Sequence, residues 1–263
     1  MPFLFQLPCL LQALLATLMT YSFTLVGSAL VLPFRREHPV LMDGMMAFGA
    51  GIMLASAFWS LLEPGIAMAA RIGQISWVVS AIGFLSGAAF LLLGDACFAR
   101  TFRRAGVQDS KRRCRLLIVS ITLHNIPEGL AVGVAFGALA SSVTIAQLNA
   151  AWMLALGIAI QNFPEGAAVS LPLLREGCSP KRAFWYGQLS GLVEPLAGCI
   201  GALLAASTQQ ILPFLLAFAG GAMVLVVVAE LIPESQRQHS TSAMTVATML
   251  GFTLMMILDV AFG

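Results

Sequence analysis

The chain has 263 residues, of which 59% are hydrophobic and 10% charged, and its mean hydropathy is +0.91. Soluble domains carry about 25% charged residues, so the composition excludes a water-soluble fold. The net charge is +2, and no basic face remains outside the apolar segments, which excludes nucleic-acid binding. The composition predicts an all-α polytopic membrane protein with one transmembrane domain over residues 1–263.

The chain accommodates eight membrane helices at roughly 20 apolar residues each. No Lys or Arg precedes Arg35, so the first apolar segment lacks the basic start of a secretory signal and is predicted to be a retained span. The predicted spans cover residues 12–33, 43–62, 74–95, 115–138, 148–174, 183–206, 211–233 and 241–262.

The basic residues predict the orientation of these spans. All except Arg71 fall in odd-numbered loops or at the adjoining span ends. Because short cytoplasmic loops are rich in Lys and Arg, both termini are expected outside the cytoplasm. The five cysteines stand singly, which argues against thiolate metal sites and a disulfide framework.

Two internal repeats run in opposite directions through the bilayer. Residues 124–134 read HNIPEGLAVGV and residues 161–171 read QNFPEGAAVSL, and they lie in the fourth and fifth predicted spans. A weaker similarity relates residues 47–53 of the second span to residues 217–223 of the seventh. Inverted repeats around a midplane site are typical of secondary transporters.

Ionisable side chains inside the spans indicate the function. A charge at the bilayer centre costs roughly 2.5–3.5 kcal/mol or more. Every Lys and Arg lies in a loop or at a span end, so the carboxylates can be neutralised only by protons or bound cations. Serines within the spans, such as Ser60, are expected to bond their own helix carbonyls. The ionisable residues expected to be buried within the spans are His124, Glu128, Glu165, Glu194 and Glu230, with Asp259 near the end of the eighth span.

Spacing within the repeats favours a metal site. In each repeat a glutamate follows two candidate ligands by four and three residues, a spacing that puts all three on one helix face. Imidazole, amide and carboxylate ligands without thiolate suit Zn²⁺, Fe²⁺ or Mn²⁺. The ligand pairs are His124 and Asn125 before Glu128, and Gln161 and Asn162 before Glu165, with Glu194 as a third carboxylate.

Proline follows the paired ligands in both repeats. Pro127 and Pro164 have no N–H, so the carbonyls of Leu123 and Ile160 lack helical partners and the helices are expected to kink. Such irregular backbone is tolerated at membrane depth where it lines a cavity.

Three functions are compatible with these features. The first is uptake of divalent metal ions, and the second is an intramembrane metal-dependent enzyme, for which no H-E-x-x-H motif is present. The third is a proton-coupled carrier of another solute, with the glutamates acting as proton relays. Metal flux into sealed vesicles without proteolysis separates the first two functions, and metal-independent solute flux would indicate the third.

The repeats resemble the paired signature of the ZIP (Zrt/Irt-like) metal transporters. Residues 124–129 (HNIPEG) and 162–166 (NFPEG) carry this resemblance, and Glu194-Pro195 and residues 230–234 (ELIPE) also match. The similarity spans essentially the whole chain. It is closest to the bacterial branch, because the long histidine-rich loop and large extracellular domain of many animal members are absent.

The resemblance implies a transporter rather than an enzyme, with zinc or another divalent metal as its substrate and no prosthetic group. It also implies a 3+2+3 arrangement of spans, a homodimer in the bacterial inner membrane, and sliding of spans one, four, five and six against the other four. Many members have His at the positions of Gln161 and Ala229, and some bacterial ones have Asp at Asn162.

The implied metal site is binuclear. One ion would be held by His124, Glu128, Gln161 and Glu165, with Met53 nearby. The other ion would be held by Asn125, Glu128, Asn162, Glu165 and Glu194. A cytoplasmic exit pathway would include Glu230, Glu234 and Asp95.

Overall fold

The computed structural model describes residues 7–33, 39–104, 109–140, 144–175, 177–207, 209–237 and 241–262, and these form helices with no strand. The helices are α1 (Cys9–Ala29), α2 (Pro39–Ser56), α3 (Glu63–Arg71), α4 (Ser76–Arg104), α5 (Asp109–Gly137), α6 (Ile145–Arg175), α7 (Pro180–Gly191), α8 (Val193–Ser207), α9 (Leu212–Val226), α10 (Ile232–Ser235) and α11 (Thr241–Phe262).

Several of these helices join into longer rods. A π-helical segment, Ala57–Leu62, connects α2 to α3, and a second one, Val227–Leu231, connects α9 to α10. Leu192 alone separates α7 from α8. Six rods in the described ranges are long and apolar enough to cross a membrane. The helices that carry the two repeats, α5 and α6, are 29 and 31 residues long and continue through Pro127 and Pro164.

The rods pack as four close pairs. Helix α1 lies along α6, α5 along α8, α2 along α11 and α4 along α9. The first two pairs also contact each other through α1, which touches both α5 and α8. The other two pairs meet where α3 packs on α4 and α9. The first group therefore contains α1, α5, α6 and α8, and the second contains α2, α3, α4, α9 and α11. The two groups meet where α2 contacts α6 and α9 contacts α5, so the repeats on α5 and α6 lie at the boundary between the groups.

Glycines allow the backbones to approach closely within each pair. A Cβ atom at Gly133 of α5 would lie 1.9 Å from the carbonyl oxygen of Gly198 on α8. The same clash would occur between Gly27 of α1 and Phe163 of α6. Small residues at helix contacts are common in membrane proteins, because tight packing rather than water exclusion holds the helices together.

The packing follows the inverted repeat. Gly51 on α2 lies against the carbonyl of Thr248 on α11, and its counterpart in the weaker repeat, Gly221 on α9, lies against Phe84 on α4. The two π-helical segments lie at corresponding positions of the same repeat. In the inverted repeat, α2 therefore corresponds to α9, and α11 corresponds to α4. The weaker sequence similarity thus corresponds to equivalent packing.

One side-chain contact differs from the sequence expectation. Ser60, in the first π-helical segment, donates a hydrogen bond to Asp259 Oδ1 on α11 at 2.7 Å instead of bonding its own helix. The expectation was wrong because a second polar group from α11 lies within reach of the hydroxyl. Trp59 packs edge-on against Phe252 on the same pair of helices.

Candidate metal site

The glycine that follows the glutamate in each repeat brings a third and a fourth helix to the site. A Cβ atom at Gly129 would lie 2.5 Å from the carbonyl oxygen of Glu194, so only glycine lets α8 approach α5 this closely. A Cβ atom at Gly166 would lie 2.2 Å from the carbonyl oxygen of Thr24 on α1. Glu128 and Glu165 are thereby flanked by α8 and α1.

The polar side chains gathered between these helices are almost fully buried. Among the residues whose burial the structure describes, the buried charged side chains are all acidic, and three of the four lie here. Glu194 lies within electrostatic range of both Glu128 and Glu165. The buried polar side chains of the site, with 0–2% exposure, are Thr20, Thr24, Asn125, Glu128, Gln161, Asn162, Glu165 and Glu194.

The three amide side chains of the site share one orientation. Asn125 donates Nδ2–H to the carbonyl of Ser190 at 2.9 Å, and Gln161 donates Nε2–H to Glu128 Oε1 at 2.8 Å. Asn162 donates Nδ2–H to Glu194 Oε2 at 2.8 Å and to the carbonyl of Thr20 at 3.3 Å. The amide oxygens of all three have no hydrogen-bond partner among the described residues. Each amide nitrogen is thus anchored, and each oxygen is left available for a cation.

The hydrogen bonds of the two asparagines are related by the inverted repeat. Asn125 and Asn162 hold equivalent positions in the two motifs, and their carbonyl partners are Ser190 on α7 and Thr20 on α1. Thr20 and Ser190 are 170 residues apart in the chain, and so are Thr24 and Glu194. Thr24 Oγ1 lies 3.4 Å from Glu194 Oε1. A hydroxyl on one side of the pseudo-symmetric site therefore faces a carboxylate on the other.

Helix α1 contributes residues that the sequence analysis missed. Thr20 donates a hydrogen bond to Glu194 Oε2 at 2.5 Å, and Thr24 is the more distant neighbour of Oε1. The available signal was the placement of Thr17, Thr20 and Thr24 on one face of a mainly apolar span. Buried threonines commonly bond their own helix, so this signal alone did not indicate a site.

Helix α2 reaches the site through another close approach. A Cβ atom at Gly49 would lie 2.7 Å from Pro164 Cβ, in the motif of α6. Met53 lies one turn further along α2 and is fully buried. Met53, the candidate soft ligand, therefore lies on the part of α2 that packs against the site.

Other expected ligands lie apart from this cluster or outside the described side chains. Glu230 is half-buried in the second π-helical segment, and Glu234 on α10 forms a 3.4 Å ion pair with exposed Arg237. The side chains of His124 and Asp95 lie outside the described part, although both residues are in helices. Among the side chains that are described, no three His, Cys, Asp or Glu groups form a metal site by themselves. The partnerless amide oxygens of Asn125, Gln161 and Asn162 are therefore further candidate ligands beside the carboxylates.

Comparison with known proteins identifies the family of the chain. The profile of the family described as "ZIP Zinc transporter" matches residues 103–259, more than half of the chain. Zinc transporter ZIP11 of Homo sapiens is 38% identical, covering 96% of this chain and 97% of that protein. Zinc transporter ZIPB of Bordetella bronchiseptica is 35% identical over 92% of this chain and 79% of its own.

A third relative, zinc transporter GufA of Myxococcus xanthus, is 43% identical over 56% of each chain. The relatives come from animals and bacteria, and all three bear the names of transporters rather than of enzymes. The matched region contains both repeats and Glu194. This protein is a polytopic helical membrane protein that belongs to the ZIP zinc transporter family.

Proposed function

We propose that this protein carries divalent metal cations, zinc foremost, across the membrane into the cytoplasm through a binuclear site between α1, α5, α6 and α8. The observation that carries this proposal is the set of three buried amides whose nitrogens are anchored and whose oxygens lack partners in the described part. Buried acceptors of this kind are costly unless a donor or a cation satisfies them. Zinc is the transported substrate and not a prosthetic group.

The first ion position would use His124, Glu128, Gln161 and Glu165, with the Met53 thioether close by. The second position would use Asn125, Glu128, Asn162, Glu165 and Glu194. Both positions share the two glutamates as bridging ligands. Imidazole and thioether make the first position softer than the second, which suits Zn²⁺ and Cd²⁺.

We further propose an orientation and an assembly. The chain would cross the bacterial inner membrane eight times, with α5 and α6 as two of the spans and both termini outside the cytoplasm. This orientation follows the basic residues of the odd-numbered loops. The metal would leave past Glu230, Glu234 and Asp95, and two chains would form a homodimer.

Uptake by the purified protein in sealed vesicles tests the proposed function. Zinc should accumulate inside, and Cd²⁺, Fe²⁺ and Mn²⁺ should compete in an order that reports the selectivity of the site. Vesicles without protein provide the background rate. Metal-independent flux of another solute, with no zinc accumulation, would contradict the proposal and indicate a proton-coupled carrier.

Metal affinity should depend on pH. The carboxylates bind a cation in their charged form, so protons compete with the metal, and affinity is lost as the pH falls. We expect the apparent zinc affinity to fall by up to about tenfold per pH unit for each proton displaced. Equilibrium titrations between about pH 7.5 and 5.5 measure this slope. Glu194→Gln should make it shallower, and an affinity that is flat over this range would contradict competition by protons.

The two ion positions should respond differently to ligand removal. His124→Ala removes the only imidazole of the proposed transport position, and we expect zinc uptake to fall about a hundredfold. Asn162→Ala removes one amide oxygen of the auxiliary position and should reduce uptake by no more than about tenfold. Vesicle uptake is measured beside the number of bound ions. If Asn162→Ala proved as inactive as His124→Ala, the two positions would form one cooperative site.

A further inference from the structure

We propose that Thr20 of α1 is a positioning residue that fixes the Glu194 carboxylate for the second ion. This inference rests on the proposed binuclear function and concerns a helix that contributes none of the candidate ligands. Its basis is the asymmetric hydrogen bonding of the two carboxylate oxygens of Glu194.

Two close donors converge on one oxygen of this carboxylate. Glu194 Oε2 accepts from Thr20 Oγ1 at 2.5 Å and from Asn162 Nδ2 at 2.8 Å. The other oxygen, Oε1, has Thr24 Oγ1 at 3.4 Å, a distance at the limit of a hydrogen bond. Oε2 therefore anchors the carboxylate, and Oε1 keeps capacity to bind a cation.

Thr20 holds the second ligand of this position as well. Its backbone carbonyl accepts a hydrogen bond from Asn162 Nδ2 at 3.3 Å. The same amide nitrogen bonds Glu194, so Thr20, Asn162 and Glu194 form a closed triangle across three helices. The Asn162 oxygen, which has no partner in the described part, is then turned away from these contacts. Groups of this kind around a metal site orient the ligands and tune their affinity.

Comparison with the symmetry-related residue supports a specific role for this hydroxyl. Ser190 holds the position equivalent to Thr20, and its hydroxyl donates to the carbonyl of Gly187 in its own helix. Thr20 Oγ1 also lies within 2.9 Å of its own helix carbonyl, at Thr17, but has the Glu194 carboxylate at a shorter distance. A hydrogen bond to a charged acceptor is about twice as strong as one to a neutral acceptor, so the carboxylate is the preferred partner.

The test is equilibrium binding of Cd²⁺ to the purified full-length protein, with zinc uptake measured in parallel. Thr20→Val keeps the shape and removes the hydroxyl, and we expect binding of the second ion to weaken about tenfold. Thr20→Ser, which keeps the hydroxyl, should stay within about threefold of the parent. If Thr20→Val does not fold, Thr20→Ala replaces it.

Thr17→Val is the matched control. Thr17 is buried on the same helix, and its hydroxyl donates to the carbonyl of Ala13 at 2.8 Å. This variant should bind both ions normally. In a Glu194→Ala background, Thr20→Val should cause no further loss, because the group that it positions is gone.

Equal effects of Thr20→Val and Thr17→Val, a Thr20→Ser variant as weak as Thr20→Val, or full additivity with Glu194→Ala would overturn the positioning role. These outcomes differ from a failure of the proposed function. If the proposed function is wrong, the unmodified protein itself would neither bind two Cd²⁺ ions nor take up zinc.

Discussion

Replacing Glu128 or Glu165 by alanine should abolish zinc uptake while the protein still inserts into the membrane. Both carboxylates are buried, follow a pair of candidate ligands by one helical turn, and are shared between the two proposed ions. Removing either one eliminates a bridging charge from both positions. Replacing a residue that hydrogen-bonds to a metal ligand costs about 10–100-fold in metal affinity. Loss of a ligand shared by both ions should therefore reduce uptake at least about a hundredfold.

The glutamine variants separate charge from shape. Glu128→Gln and Glu165→Gln keep the side-chain volume, and we expect them to be almost as inactive as the alanine variants. Glu63→Ala, which removes an exposed carboxylate on α3, serves as the control and should transport normally. Vesicle uptake of zinc is compared at equal amounts of inserted protein. Near-normal uptake by either alanine variant would contradict the binuclear proposal.

Replacing Gly133 by alanine should separate α5 from α8 and destabilise the fold. The added Cβ atom would lie 1.9 Å from the carbonyl oxygen of Gly198, and backbone atoms, unlike a side chain, cannot rotate away. Overpacking typically costs about 1–3 kcal/mol, and a backbone clash belongs at the upper end of this range. Because the same helix pair carries Glu128 and Glu194, zinc uptake should fall as well.

Gly44→Ala is the matched control for this prediction. Gly44 lies within α2, and a Cβ atom there would meet no atom within 4 Å. Alanine should therefore stabilise α2 by about 0.5–1 kcal/mol through its helix propensity. Thermal unfolding in detergent measures both variants. Equal thermal unfolding midpoints for Gly133→Ala and Gly44→Ala would show that the α5–α8 contact tolerates a methyl group. Close approach of these two backbones would then not depend on glycine.

The local chemistry of the repeats determined the ligand candidates. A glutamate three and four residues after a pair of polar side chains shares their helix face in any helix, whatever surrounds it. In the structure Asn125 and Glu128 are both buried on α5, and Gln161 and Glu165 are both buried on α6. The anchoring of each amide through its nitrogen depends on partners from other helices, and no pattern within the motif predicts it.

The apolar composition was sufficient to predict a helical chain. Backbone polar groups have no water to bond in a bilayer, so long apolar segments must satisfy them within a helix. The two π-helical segments were not predicted. A π-helical turn shifts the hydrogen bonds by one residue without changing the apolar character of the segment, so residues 57–62 and 227–231 read like ordinary helix.

The residues outside the motifs that belong to the site follow from helix contacts that the motifs do not encode. Thr20 lies 174 residues from Glu194 in the chain, and the two meet because α1 and α8 pack beside the motifs. Ser60 likewise bonds Asp259 on a distant helix. Hydropathy measures how strongly a segment favours lipid over water, and this preference is nearly the same for every apolar helix. The choice of partner depends instead on where glycine lets two backbones approach, and that is a property of two surfaces together.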